Sequence, residues 1–288
     1  MTQPPEILCF GFSYCAQSLA PLLRARGFQI AASCRDPKQA ARLEAAKVRP
    51  VPLPLAAPEA VASATHVLLS APPDDGDPIL ATAGDALAAS DTLTWLGYLS
   101  TTAVYGNTDG AWVDEDTPPP DKLSARGQRR LAAEEAWRAF ADRHGVPLDI
   151  FRLAGIYGHT RNALAALKTG RARRIHKPDQ VFSRIHVEDI AQVLAAAIEQ
   201  GGAGNIYNVC DDAPAPPQDV VAYAAELLGV APPPLEDFAT ADMSEMARAF
   251  YGDNRRVRNR RIKEMLGVQL AYPTYREGLQ SLFATGDF

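Results

Sequence analysis

A chain of 288 residues with 47% hydrophobic and 22% charged content can bury a full core, in one large domain or two unequal ones. Its formal net charge of -5 excludes nucleic-acid binding through bulk positive charge and leaves only local basic patches. Met1-Thr2-Gln3-Pro4-Pro5-Glu6 has no basic stretch, and no apolar run approaches the ~20 residues of a membrane span, so the expectation is a cytoplasmic protein with no signal peptide and no membrane contact.

The chain then alternates between two periodicities. Glu6 to Phe10 reads as a strand ending at Gly11, and Ala16 to Arg26 as a helix stopped by Gly27. Phe28 to Ser33, Val48 to Leu53 and His66 to Ser70 read as strands, with helices over Pro37 to Ala46 and Ile79 to Ala89. Thr92 to Ser100 is the next strand, Arg126 to His144 a helix ended by Gly145, and Leu148 to Leu153 the sixth strand. Such alternation implies a parallel sheet covered on both faces, a doubly wound α/β (Rossmann) domain over residues 1–157. Beyond Tyr157 the rhythm changes: helices are expected over Asn162 to Thr169, Val187 to Glu199, Pro217 to Leu228 and Asn254 to Leu266, with a strand at Ile206 to Val209. This is read as a smaller substrate domain over 158–288, with 183–209 returning to the first domain. Cys9, Cys15, Cys34 and Cys210 form no C-x-x-C pair and have no histidines at ligand spacing, so buried thiols are expected and no metal site.

Between the first strand and first helix lies Gly11-Phe12-Ser13-Tyr14-Cys15-Ala16, where a G-x-G-x-x-G/A dinucleotide turn would sit. Gly11 suits the tight turn and Ala16 the close helix packing, while Ser13 replaces the usual middle glycine and either hydrogen-bonds a phosphate or obstructs it. Gly11, Ser13, Tyr14 and Cys15, with Ser70 and Ala71 at the end of the fourth strand, form the candidate cofactor set. Arg35 at the end of the second strand suits the 2′-phosphate of NADP, whereas the following Asp36 leaves NAD open.

At the carboxyl end of the fifth strand comes Ser100-Thr101-Thr102-Ala103-Val104-Tyr105-Gly106, beside the crevice where such sheets bind ligands. Together with Gly11-x-Ser-x-x-Ala, Phe151-Arg152-Leu153-Ala154-Gly155-Ile156-Tyr157-Gly158 and Arg184-Ile185-His186-Val187-Glu188-Asp189-Ile190-Ala191, it resembles an extended short-chain dehydrogenase/reductase of the NAD-dependent epimerase/dehydratase kind. Tyr207-Asn208-Val209-Cys210-Asp211-Asp212 and Tyr272-Pro273-Thr274-Tyr275-Arg276-Glu277-Gly278-Leu279 are similar to its atypical YeeZ-like branch. The resemblance implies that Thr101 holds the substrate oxygen, and it aligns Arg126 and Arg130 with the tyrosine and lysine of the family's Tyr-x-x-x-Lys acid/base pair. An arginine stays protonated near neutral pH and has no proton to exchange. Dehydratase members also carry acids directly after the threonine, where this chain has Thr102 and Ala103.

Arg126 and Arg130 share a helical stripe with Ala133, Trp137 and Phe140, which turns them inward toward an anionic partner: a cofactor phosphate, a substrate carboxylate, or Asp114, Glu115 or Asp116. The alternative is that the helix's first turn projects past the sheet into water. Tyr105 is a further candidate for the missing acid, with Tyr157 and His159 as weaker ones. Thr102 and Arg184 are candidates for substrate binding, and Arg171 to Lys177 is a basic loop suited to an anion or to solvent. His186 and Asp189 are read as locking a loop to a helix, and Arg255 to Arg261 as a solvated helix face.

The reading that results is an NADP-linked oxidoreductase or epimerase acting on a small substrate bearing phosphate or carboxylate. Thr101 orients the substrate oxygen, Arg130 holds the ribose or a phosphate, and Arg126 binds substrate charge. A non-catalytic NADP-binding sensor or regulatory protein is the alternative, and a fold kept only for protein interaction is a third. The resemblance adds a homodimer built on the two long helices flanking the active-site strand.

Overall fold

Seven parallel strands form the central sheet: β1 (Glu6–Phe10), β2 (Gln29–Cys34), β3 (Arg49–Pro52), β4 (His66–Leu69), β5 (Trp95–Thr101), β6 (Leu148–Leu153) and β7 (Ile206–Val209), in the order β7-β6-β5-β4-β1-β2-β3. The coordinates are a computed structural model describing residues 4–53 and 57–288, so Met1 to Gln3 lie outside the described residues. The order reverses between β1 and β4, which makes their carboxyl ends the crevice of a doubly wound sheet. β1 is buried at all five positions because helices cover both faces. Ile7 and Cys9 face one core layer and Leu8 and Phe10 the other, following the two-residue period of a strand.

One face is closed by α1 (Tyr14–Ala25) and α7 (Val187–Glu199), whose Leu19, Leu23, Ile190 and Leu194 are buried. The opposite face is closed by α3 (Ala57–Ser63), α4 (Pro78–Ala88) and α5 (Ala125–His144), through Val61, Leu87 and Trp137 among others. α2 (Pro37–Ala45) follows β2 and starts on the side chain of Asp36, which accepts the Gln39 amide at 2.8 Å. α5 starts on Ser124, which accepts the Gly127 amide at 3.2 Å, and stops at Gly145, whose φ of 67° only a residue without a Cβ adopts cheaply.

Residues beyond β6 build a second, smaller cluster around Tyr157, Leu164, Ala224, Leu279 and Leu282, carried by α6 (Ala163–Lys168), α8 (Pro217–Leu228) and α11 (Tyr275–Thr285). Two short parallel pairs, Gly155–Tyr157 with Arg184–His186 and Arg174–His176 with Leu235–Asp237, frame it. The chain crosses back through α7 to place β7 at the sheet edge beside β6.

Several stretches depart from the sequence reading, the short strand pairs above among them. Ala57–Ser63 is helical, and so is Tyr275–Thr285, where Thr274 and Glu277 form a capping box. The charged helix expected over Asn254 to Leu266 is instead a strand pair, Arg256–Val257 against Trp112–Val113, followed by the short α10 (Arg260–Glu264). Three of its five arginines are tethered to the rest of the fold: Arg255 reaches the Gly106 carbonyl, Arg256 the Gly110 carbonyl and Arg261 the Asp116 carboxylate. These tethers draw the segment into the fold, and the expected solvated helix face is not formed.

Among the described residues no helix is long and apolar enough to cross a membrane. All four cysteines are free and buried.

Candidate active site

The crevice above β1 and β4 is built from backbone and small hydroxyls. Gly11 sits at a φ of +90°, and a Cβ there would lie 3.1 Å from the Ser70 hydroxyl. That hydroxyl donates to the carbonyls of Phe10 at 3.1 Å and Gly11 at 2.6 Å, while the Gly11 amide donates to the Ser33 hydroxyl at 2.9 Å. The turn is thereby held open by β2 and β4 together. Ser13 caps α1 by accepting only the Ala16 amide, at 3.4 Å. The positive end of the helix therefore faces the crevice, where it favours an anion. Ala71 follows Ser70 and is half-buried at the same strand end.

The Tyr14 hydroxyl donates to the His159 carbonyl at 2.8 Å, and Arg161 lies 5.1 Å over its ring. Its side chain thus ties α1 to the loop after Tyr157. Cys15 is buried, and burial pushes its thiol up to about 11, so only its backbone can serve a ligand. Arg35 is exposed and held through its backbone alone, by the Gln39 side chain at 2.9 Å. Asp36 is occupied as the α2 cap, and the Arg35 guanidinium has no hydrogen-bond partner among the described residues.

At the end of β5, Thr101 is half-buried and its hydroxyl oxygen accepts the Ala103 amide at 3.3 Å, leaving its own proton to donate. Thr102, the first residue of the turn after β5, is 7% exposed. Tyr105 does not join the crevice. It is 1% exposed, donates to Asn208 at 2.8 Å and accepts from Arg152 at 2.9 Å, and burial pushes its hydroxyl up to about 12. A sealed, doubly partnered phenol has no path to a substrate, which removes it as the replacement acid.

α5 brings both arginines to the strand end. Arg130 is half-buried and donates to the Leu99 carbonyl at 2.8 Å and the Tyr98 hydroxyl at 3.2 Å. Arg126, one turn earlier, is exposed and stands 5.5 Å over the Phe250 ring. Partial burial, then the neighbouring charges of Arg130 and Arg255, lowers its proton affinity. The acids considered as partners are committed elsewhere: Asp114 accepts from Thr117, Glu115 from the Asn208 amide, and Asp116 from Arg261. Sequence reasoning missed Arg255 and Phe250 as neighbours of the crevice, because both arrive from over 120 positions along the chain. The alternation in Arg256-Val257-Arg258 was the available sign that this segment is extended.

Arg184 lies in the second cluster, donating to the Phe182 and Ala215 carbonyls at 2.8 and 3.0 Å. The basic loop is likewise engaged, Arg173 with Glu236 and Lys177 with the Tyr251 carbonyl. His186 caps α7 and Asp189 accepts the Ala271 and Tyr272 amides at 2.7 and 3.1 Å, so both lock loops to that helix. Tyr157 is buried against α11, and His159 is bracketed by Glu188 and Asp287.

Residues 85–210 match the model of the NAD dependent epimerase/dehydratase family. That matched segment includes β5, α5, β6, α7 and β7. The chain is 51% identical, over 99% of its length and 100% of the other chain, to a functionally unknown conserved protein from Silicibacter pomeroyi DSS, with a TM-score of 0.92. It is 30% identical over 181 residues to the 3-diazoavenalumate denitrifying reductase of a Streptomyces species, a match spanning 58% of each chain. The UDP-glucuronic acid 4-epimerase of Bacillus cereus, solved with UDP-glucuronic acid and NAD, shares the fold at 14% identity and a TM-score of 0.77, over 97% of this chain and 98% of that one.

Proposed function

We propose that the chain is an oxidoreductase using a nicotinamide dinucleotide, NADP in preference to NAD, on a small substrate that bears a phosphate or carboxylate. One observation carries this reading: α5 sets Arg130 on the Leu99 carbonyl, two residues before Thr101 on β5, with Arg126 one turn earlier, where relatives would carry an acid/base tyrosine and lysine. The family-model match over residues 85–210 and the open Gly11 turn support the cofactor class. So do the names of two similar proteins, one a reductase and one solved with NAD.

The dinucleotide, when bound, supplies the hydride. Gly11 and the start of α1 would take its pyrophosphate, and the free Arg35 side chain the 2′-phosphate. The Thr101 hydroxyl would donate to the substrate oxygen. Arg130, with donors beyond those spent on Leu99 and Tyr98, would hold the ribose or a phosphate. Arg126 would bind substrate charge. Neither guanidinium releases a proton near neutral pH, so both are confined to binding.

A second reading, a dinucleotide sensor without hydride chemistry, is favoured by the sealed hydroxyls of Tyr98 and Tyr105, both 1% exposed or less. Calorimetric titration with NAD, NADH, NADP and NADPH, followed by a panel of carbonyl and nucleotide-sugar substrates, separates the two. Tight NADPH binding with turnover supports the oxidoreductase. Tight binding without turnover supports the sensor. Binding of none of the four overturns both and leaves a fold used for protein interaction.

A further inference from the structure

The rim of the crevice holds more positive charge than the fold neutralises. Arg255 is anchored there by the Gly106 carbonyl at 2.6 Å, five residues after Thr101, and pairs with Asp253 at 3.0 Å. Arg130 is fixed by Leu99 and Tyr98, and Arg126 by the ring of Phe250. Among the described residues, no carboxylate lies within 4.0 Å of Arg126 or Arg130. Three guanidiniums against one carboxylate leave two positive charges uncompensated. Each is half-buried or stacked, so water screens the mutual repulsion less well than at an open surface.

The three cations come from two elements: α5 supplies two, and the segment after α9 (Glu245–Phe250) supplies the third. Acceptors reached from several directions suit a tetrahedral phosphate better than a planar carboxylate. Beside them Phe250 exposes 54% of its surface, an apolar ring whose position is set by Arg126. We propose that Arg126, Arg130 and Arg255 clamp the dianionic head of a phosphate monoester whose carbon skeleton lies against Phe250. This rests on the reading of the crevice as the substrate end, and it assigns Arg255 and Phe250 to substrate selection.

The test is calorimetric titration of the full chain with phenyl phosphate, inorganic phosphate and benzoate, with and without saturating NADPH. Phenyl phosphate is expected to bind one to one, at least tenfold tighter than benzoate, as two compensated charges exceed one. Arg126→Met and Arg255→Met should each weaken it by roughly tenfold or more while NADPH affinity stays within about twofold. Phe250→Ala should weaken phenyl phosphate more than inorganic phosphate, since it removes the apolar contact as well as the ring that steadies Arg126. Arg276→Met, on α11 and stacked on Tyr223, is the control and should change neither. If Arg255→Met loses the fold because Gly106 is released, Arg255→Lys keeps a donor for that carbonyl and should still weaken phenyl phosphate. Equal binding of benzoate and phenyl phosphate overturns the clamp, as does an unchanged affinity in the arginine variants. An equal loss of NADPH binding in those variants also overturns it, since the arginines would then serve the cofactor. Phenyl phosphate binding to a chain that binds no dinucleotide would leave the clamp standing and remove the oxidoreductase.

Discussion

The Arg152 guanidinium lies 2.7 Å from the Glu134 carboxylate, at side chains 4% and 1% exposed, and joins β6 to α5 through the interior. The same carboxylate accepts the Ser100 hydroxyl at 2.5 Å, and Arg152 also donates to Tyr105, which donates to Asn208 on β7. One chain of polar contacts therefore fixes the helix bearing Arg126 and Arg130 against three strands. Removing one partner strands a buried charge, whereas removing both does not. Glu134→Leu should cost about 3–5 kcal/mol of stability, and the pair Glu134→Leu with Arg152→Met should recover much of it. Denaturant unfolding of the three variants checks this; additive losses would show that the two side chains act independently.

Arg35 is expected to decide between the two dinucleotides. With Asp36 committed to capping α2, Arg35→Ala removes the side chain free to meet a 2′-phosphate. The loss should be about 1.5–3 kcal/mol for NADPH, the range for a charge-assisted hydrogen bond, with NADH affinity unchanged. Parallel titrations with the two cofactors read the difference, and an equal effect on both would show that Arg35 does not read the phosphate.

The turn at Gly11 tolerates no side chain. Gly11→Ala forces a Cβ into a φ of +90° and to within 3.1 Å of the Ser70 hydroxyl. Stability should fall by about 1–2 kcal/mol, and dinucleotide binding should weaken as the Ser70 bridge shifts. Thermal unfolding and cofactor titration of the variant measure both; a variant as stable as the parent would show that the turn is relaxed.

Asp211 sets the alkaline behaviour of the second cluster. It is 1% exposed, one carboxyl oxygen has no partner, and burial raises its pKa from 3.8 to about 8. Its folded pKa is above its unfolded one, so the protonated form's contribution is complete below pH 4 and is lost as pH rises through 8. His66 and His186, lowered to about 4 by burial, act in the opposite sense below pH 6.5. Between pH 7 and 8 wild-type stability should therefore fall by up to about 1.4 kcal/mol per pH unit, flattening above. Asp211→Asn, which does not ionise, should remove that slope in unfolding midpoints measured from pH 7 to 9. An identical slope in the variant would place the titrating group elsewhere.

The strands were legible because each is an apolar run closed by a turn residue, and Leu148–Leu153 lies where periodicity puts it. The stripe of α5 was also legible in phase, since Ala133, Trp137 and Phe140 are all buried. What periodicity could not show is that the first turn overhangs the sheet edge, so Arg130 is half-buried while Arg126 is exposed. Glu134 and Arg152 stand 18 positions apart on different elements, and no spacing rule connects them. The Thr274–Glu277 capping box, by contrast, was written in the sequence ahead of Tyr275–Thr285 and marks that helix.

The pairing of Arg256–Val257 with Trp112–Val113 also orders events in time. During synthesis the sheet through β7 can assemble while residues beyond 250 are still inside the ribosome. The rim that carries Arg255 closes only after they emerge. A chain interrupted near Gly252 would lose Arg255 from the rim and, with it, Val257, Ile262, Leu266 and Val268 from the core layer that α1 and α7 share.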